Sequence, residues 1–377
     1  MGGSHHGGAE VVDRVRVLYV FRERKQPLID SWRAGREPDT LLFGLNHLAA
    51  LGIEPLFHEP QYGRIGRILA QQVGRLGPDF LQLRTLRRFR EADVVFLTAG
   101  WPLLLAARRF LRRPPALVWL NLSLTTLLAA DRPGASLAER VRGHLLRLAL
   151  RSADRIVCVA RSQQEPLRRT VGLPLDRLPF IPSGVDARFY TPGTDPGRGG
   201  YVLAAGRDAG RDYATFAQAV SGLDRSAHVV AGRANLEGIA LPQNTRAQFS
   251  IPPVAMRDEY RGAACVVVPT HGDGYPHGSD CSGTLVTLDA MACARPVVVT
   301  QRRSIDDYVS ASSPEAITVP PGDPTALRAA IEGVLQSPDL TVELGARGRA
   351  SVEARLNTQA MAAELAGVFR AAAPSAP

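Results

Sequence analysis

Two short stretches in the second half of the 377-residue chain carry the residue types that could do chemistry. In Ala205-Gly206-Arg207-Asp208-Ala209-Gly210-Arg211-Asp212-Tyr213, two arginines follow an apolar run. In the other, a glycine-rich loop running from Gly272 through Gly274, His277, Cys281, Ser282 and Gly283 opens into the helical pattern Thr284 to Cys293. A helix start offers unpaired N–H groups and the positive end of the helix dipole, which favour a phosphate, and Ser282 and Thr284 add hydroxyl donors. Asp289 lies about one and a half turns into that helix, where its carboxylate can accept hydrogen bonds from a sugar or ribose diol. A loop of Gly, Ser and Asp alone is an ordinary helix cap. Arg207 and Arg211, at the carboxyl edge of a strand where open α/β sheets place ligands, make an anionic, hydroxyl-rich ligand the stronger reading, with the helix start and both guanidinium groups sharing one diphosphate.

The elements that must hold these residues follow a βαβ rhythm. Strands are predicted at Val15–Phe21, Ile53–Phe57, Asp93–Leu97, Ala116–Leu120, Arg155–Val159 and Leu178–Ile181. Helices are predicted from Asp39, acting as a cap, to a stop at Gly52, and over residues 102–111 and 136–151. After a Pro/Gly-rich linker at residues 189–200 the rhythm restarts. Strands are expected at Tyr201–Ala205, His228–Ala231, Ala247–Ser250, Cys265–Pro269, Val297–Thr300 and Ala316–Val319, and helices at 213–220, 284–293, 324–336 and 341–373. The pattern predicts two similarly built α/β domains with mainly parallel sheets facing each other across a cleft: residues 1–190, residues 191–355, and a terminal helix over 356–377 that can pack back on the first domain. The Gly/His-rich start and the Ala-Pro end are expected to fray.

The net charge of +9 sits in the first half, where residues 1–190 carry 29 Lys+Arg against 17 Asp+Glu. Lys25 is the sole lysine. The basic stretch Arg84 to Arg90, with Arg108, Arg109, Arg112 and Arg113, suits anionic lipid headgroups or an acidic acceptor as well as plain solvated helix faces. No recognised nucleic-acid module accompanies the charge, which argues against that partner. No apolar run approaches the ~18 residues that span a bilayer, and Met1 to Asp13 contains no signal-peptide core, so a cytoplasmic chain, with peripheral membrane contact open, is the expectation. The four cysteines form no CxxC pair and read as reduced, mostly buried thiols. His271 and His277 with Asp273, Asp280 and Cys281 lack regular ligand spacing, so no metal site is expected. Contact of either histidine with the ligand is the alternative, and His47 and His58 are candidates for lining the facing wall.

The order of several segments resembles the family-4 retaining glycosyltransferases of the GT-B fold. These are Ile181-Pro182-Ser183-Gly184-Val185-Asp186 with Phe189 and Pro192, then Ala205-Gly206-Arg207, then Leu288-Asp289-Ala290-Met291-Ala292-Cys293-Ala294-Arg295-Pro296, then Val319-Pro320-Pro321-Gly322-Asp323-Pro324. The resemblance implies two Rossmann-like domains and transfer of a hexosyl group from a nucleoside-diphosphate sugar, with retention and without metal or other cofactor. The implied acceptor is a glycan, a lipid-linked molecule or a small natural product. It makes Arg207 the diphosphate arginine, puts Arg211 near the family's usual lysine, and matches Asp289 to the second glutamate of the E-x7-E motif, which looks to the ribose. Cys281 stands where the first glutamate contacts the donor sugar, a departure for which Asp280 and Asp273 are the nearby carboxylate substitutes. Arg22-Glu23-Arg24-Lys25-Gln26-Pro27 replaces the glycine-rich loop after the first strand. Its cations either reach the donor phosphates or form a solvated basic loop. Asn121 falls about where many members carry a histidine, beside Thr98-Ala99-Gly100-Trp101 on the acceptor side. A nucleotide-sugar epimerase and a sugar-nucleotide or glycan-binding protein without turnover are the alternatives on this scaffold.

Overall fold

The computed structural model describes residues 14–59, 80–122, 124–194, 200–312 and 314–374. The expected frayed start, Ser123, residues 195–199 of the expected linker, the last three residues and the side chain of Arg84 lie outside that description.

The first lobe is a five-stranded parallel sheet: β1 (Arg16–Val20), β2 (Glu54–His58), β3 (Val94–Leu97), β4 (Ala116–Leu120) and β5 (Arg155–Val157), in the order β2-β1-β3-β4-β5. Its inner strands are continuous apolar runs because both faces are covered. One face packs against α2 (Pro102–Phe110), α3 (Leu124–Ala129), α4 (Leu137–Arg151) and α5 (Gln164–Val171). The other receives Ile29 of α1 (Gln26–Arg33) and the last helix of the chain.

The second lobe is a six-stranded parallel sheet: β6 (Tyr201–Gly206), β7 (Ser226–Ala231), β8 (Thr245–Phe249), β9 (Ala263–Val268), β10 (Val297–Thr300) and β11 (Ile317–Val319), in the order β11-β10-β9-β6-β7-β8. Helices α6 (Tyr213–Val220), α7 (Pro253–Gly262), α8 (Thr284–Ala292), α9 (Pro324–Gln336) and α10 (Pro338–Ala354) belong to this lobe. Chain order reverses between β6 and β9, and in the first sheet between β1 and β3. Such reversals open a crevice beyond the carboxyl ends of the strands.

The structure adds helices α1, α3, α5 and α7, which the sequence reading lacked, and departs from that reading elsewhere. Residues 39–52 form two 3-10 segments, Thr40–Leu42 and Leu45–Leu51, separated by Phe43 at φ 50°. Asp39 does not cap them. Its carboxylate is taken by Asn46, which donates at 2.7 Å, and lies 2.8 Å from His47 Nε2. Leu178–Ile181 makes a single bridge, Phe180 to Cys158, and no strand. The long C-terminal pattern breaks at Arg355–Asn357 into α10 and α11 (Thr358–Ala372), because the chain crosses from one lobe to the other there. Asn357 restarts the helix by accepting from the Ala360 N–H at 2.9 Å. Met361, Ala362, Leu365, Ala366 and Phe369 of α11 then pack into the core of the first lobe.

The forward crossing also precedes the expected linker, since Val185, Phe189 and Tyr190 pack in the core of the second lobe. The two crossings touch: the Val185 N–H donates to Leu356 O at 3.0 Å and the Thr358 N–H to Val185 O at 3.1 Å. Asp186 fixes this place by accepting from the Asp39 N–H at 3.0 Å and the Phe189 N–H at 2.9 Å.

Candidate functional site

Two adjoining cavities, of about 300 and 400 Å³, lie between the lobes at the carboxyl ends of the strands and share Thr40, Leu41, Gly206, Arg207, Leu285 and Val286 along their boundary. The loop after β6 is fastened to the segment after β9. Arg211 bridges Thr270, the Asp212 N–H donates to Pro269 O at 3.1 Å, and the His271 N–H donates to Gly210 O at 3.0 Å. Asp208 fastens the glycine-rich loop in turn, accepting from the Gly210 N–H at 2.8 Å and the Ser279 N–H at 3.0 Å.

These ties place the Arg211 guanidinium between two glycines. A Cβ at Gly206 (φ 134°) would lie 2.6 Å from Arg211 Cζ, and one at Gly283 (φ 95°) 3.2 Å from its Nη1. Glycine is required at both positions by conformation and by space. Arg211 is only 7% exposed, and its Nε and Nη1 have no hydrogen-bond partner among the described residues. Burial pulls its pKa down. Around it, Ser282 Oγ, Thr284 Oγ1 and Thr270 Oγ1 are buried and equally without partner, and no side chain caps α8. A buried cation ringed by unused donors at a helix start is the arrangement that suits an anion. Arg207 is exposed, lines both cavities from the far side of Gly206, and has no hydrogen-bond or ion-pair partner among the described residues.

Asp289 lies on the smaller cavity beside Tyr190 and Tyr260, whose hydroxyls face its carboxylate. Burial raises its pKa well above the ordinary carboxylate value, with Asp186 adding to the rise and the tyrosines opposing it. The folded chain therefore holds a proton that the unfolded chain releases above about pH 4, and stability falls as pH rises toward the folded value. Asp289→Asn, which never ionises, is expected to match the parent near pH 4 and to be the more stable of the two at pH 8. Thermal unfolding at the two pH values checks this. Val230, Ile251, Pro253, Met256 and Val286 give this cavity an apolar side, beside Thr40, Arg207 and Ser250.

The sequence-predicted residues thus divide. Arg207, Arg211, Cys281, Ser282, Gly283 and Thr284 meet at the larger cavity and Asp289 at the smaller. Gly274 and His277 are exposed and line neither; the His277 ring lies 5.6 Å from that of Tyr275. Asn121 is buried at the end of β4, its N–H donating to Val157 O at 2.9 Å, while its neighbours Leu120 and Leu122 reach the cavity. Neither His47 nor His58 reaches it.

Cys281 Sγ accepts from Gln163 Nε2 at 3.4 Å, and burial beside Asp280 pushes its thiol well above the usual range, so it carries no charge. Of the two substitute carboxylates, Asp280 accepts from Gln163 at 2.6 Å and Asp273 is held by Arg303 at 3.2 Å, and neither lines the cavities. The basic loop at 22–27 also stands apart: Arg24 pairs with Glu59 at 3.8 Å, and Gln26 and Pro27 begin α1.

Sequence reasoning missed Thr40, Leu41, Phe43, Tyr190, Tyr260 and Met361. The first three sit in the stretch misread as a regular helix, and an apolar residue on a cavity wall has the same periodicity as one in a core. Among the described residues no three metal-ligating side chains converge, and no helix is long and apolar enough to cross a membrane.

Comparison with known proteins matches the two lobes separately. Residues 45–189 match the family described as Glycosyltransferase Family 4, and residues 200–337 match Glycosyl transferases group 1. A D-inositol 3-phosphate glycosyltransferase of Xylanimonas cellulosilytica is 30% identical over 178 residues, covering 39% of this chain and 40% of that relative, so the match spans less than half of the relative's length. Among solved structures, sucrose-phosphate synthase from Thermosynechococcus elongatus superposes with a TM-score of 0.68 at 18% identity, over 95% of this chain and 99% of that one. HepE from Anabaena, in complex with UDP-glucose, gives 0.65 at 14% identity, over 95% and 100%. The two lobes, their paired parallel sheets and the matches along both identify the chain as a member of the family-4 glycosyltransferases of GT-B type.

Proposed function

We propose that this protein is a retaining glycosyltransferase that moves a hexosyl group from a nucleoside-diphosphate sugar to an acceptor hydroxyl. The observation that carries the reading is the buried, unpaired Arg211 guanidinium beside the uncapped start of α8, with Arg207 free on the other side of Gly206. Two superposable structures hold UDP or UDP-glucose, which supports a nucleotide-sugar donor.

In this reading the smaller cavity takes the nucleoside, with its base against Ile251, Pro253 and Met256 and its ribose diol on Asp289. The diphosphate spans Arg207, Arg211, Ser282 and Thr284. The bond from the anomeric carbon to the diphosphate oxygen breaks, the acceptor oxygen bonds to the same face of that carbon, and the acceptor proton passes to the departing phosphate oxygen. Charge grows on that oxygen, so preorganised donors aimed at it lower the barrier. The protein's own cations supply this stabilisation, and the scheme calls for no metal or cofactor. Cys281 offers the donor sugar an uncharged thiol where a carboxylate would accept hydrogen bonds, so sugar positioning rests on other groups.

Peripheral contact with anionic lipid through the basic first lobe of a cytoplasmic enzyme fits the exposed Arg109, Arg112 and Arg113.

The test is turnover with UDP-, GDP-, ADP- and dTDP-sugars, reading both transfer and donor hydrolysis. Binding without product would favour a non-catalytic sugar-nucleotide protein, and an altered sugar without transfer an epimerase. With the accepted donor, Arg207→Ala is expected to lower kcat about 100-fold, and to leave the melting temperature nearly unchanged because the side chain is exposed and unpaired. Wild-type turnover in that variant would remove the assigned role.

A further inference from the structure

The larger cavity has two unlike walls. The second lobe lines it with Arg207, Asp208, Arg211, Ser279, Ser282 and Thr284, and with Leu285 and Val286 of α8 at its edge. The facing wall, built by the first lobe and α11, is Leu41, Phe43, Leu120, Leu122, Val159 and Met361, with Thr40 and Ser183 its polar side chains among the described residues. No charged side chain of the first lobe lines either cavity among those residues. Leu41 is 47% exposed and Leu122 50% exposed, so this wall has no covering of its own. Further apolar side chains of the first lobe are exposed. Leu128 of α3 is exposed, and α4, packed against α3, presents Leu137, Val141, Leu145 and Leu148 along one outer face.

We propose that the acceptor is an uncharged or amphiphilic molecule whose hydroxyl is attached to an apolar body, and that this body lies against Leu41, Phe43 and Leu122. The inference rests on the donor reading above and selects among acceptor classes. A phosphorylated or bare sugar would meet this wall without a cation or a set of polar partners and would be desolvated there without return. An alkyl or polycyclic body removes apolar area from water on both sides of the contact.

Three ligands sharing one glucose unit test the proposal: n-octyl β-D-glucopyranoside below its micelle concentration, methyl β-D-glucopyranoside, and glucose 6-phosphate. Each is titrated calorimetrically into the full chain, with and without UDP. The octyl glycoside is expected to bind at least about ten-fold tighter than the methyl glycoside, the alkyl chain being the only difference. Leu122→Ser should remove most of that advantage and Leu122→Met should keep it. Equal affinity for the two glycosides, no detectable binding of the octyl glycoside, tighter binding of glucose 6-phosphate, or an octyl preference indifferent to Leu122→Ser would each overturn the proposal. Titration of UDP and of pyrophosphate alone reports on the donor site separately. If neither binds, the donor reading fails whatever the glycosides do.

Discussion

Arg211→Met is expected to make the free protein more stable while lowering turnover about 1000-fold. The two effects share one cause. In the free chain the guanidinium is buried between Gly206 and Gly283, with two of its nitrogens unpartnered and its pKa pulled down by desolvation. Replacing such a group with an apolar side chain of similar reach relieves an uncompensated charge and gains about 1–3 kcal/mol. Turnover falls because the leaving diphosphate loses the donor held most rigidly in place. The measurement is the melting temperature with and without pyrophosphate, beside kcat with the accepted nucleotide sugar. A ligand at about 100 times its Kd adds about 2.7 kcal/mol to the parent. The variant should start higher and gain almost nothing. A variant less stable than the parent and still fully active would contradict both halves. Arg211→Lys should recover only part of the rate, because an ammonium cannot make the planar fork of contacts.

Gly184→Ala is expected to have the largest effect on stability. A Cβ there would collide with the backbone of Asn357 and lie 2.7 Å from Thr358 N, the place where the returning chain passes under the outgoing one. Neither neighbour is a side chain that can turn away, and Leu356 and Thr358, on either side of Asn357, are tied to Val185 by backbone hydrogen bonds. The strain is at the upper end of that for overpacked sites, about 3 kcal/mol, or a fall of roughly 4 °C in a chain of this size. Gly333→Ala is the control. It lies within α9 with nothing within 4 Å of the added carbon, and should stabilise slightly. Thermal unfolding, with proteolysis at the crossings as a second readout, distinguishes local crowding from a general intolerance of alanine.

What the sequence disclosed depended on whether local chemistry or tertiary context decided the outcome. Continuous apolar strands such as Val94–Leu97 and Ala116–Leu120 were legible because burial on both faces leaves no other composition. The segment Ile181–Asp186 was legible as a motif only. Its purpose needed coordinates, because Gly184, Val185 and Asp186 each answer a residue more than 100 positions away. The convergence of Arg211, Ser282, Gly283 and Thr284 on one cavity was readable because a helix start and a cation are chemical statements in themselves. Gly274 and His277 failed the same reasoning, since sequence proximity to Ser282 does not fix which way a twelve-residue loop turns. The facing wall was unreadable, because Leu41 and Met361 are brought together by the return of the last helix and carry no distinguishing residue type.

The paired crossings govern how the lobes can move. Two backbone segments joined side by side at Val185 and Asn357 act as one two-stranded strap rather than a swivel. Such a strap bends readily about the line along which the segments lie and resists torsion across it, since twisting would shear both hydrogen bonds. The lobes are therefore confined to swinging apart and together like the covers of a book. Arg211 travels with one cover and Leu122 with the other, so each swing changes the width of the gap between cation and apolar wall while leaving their alignment intact.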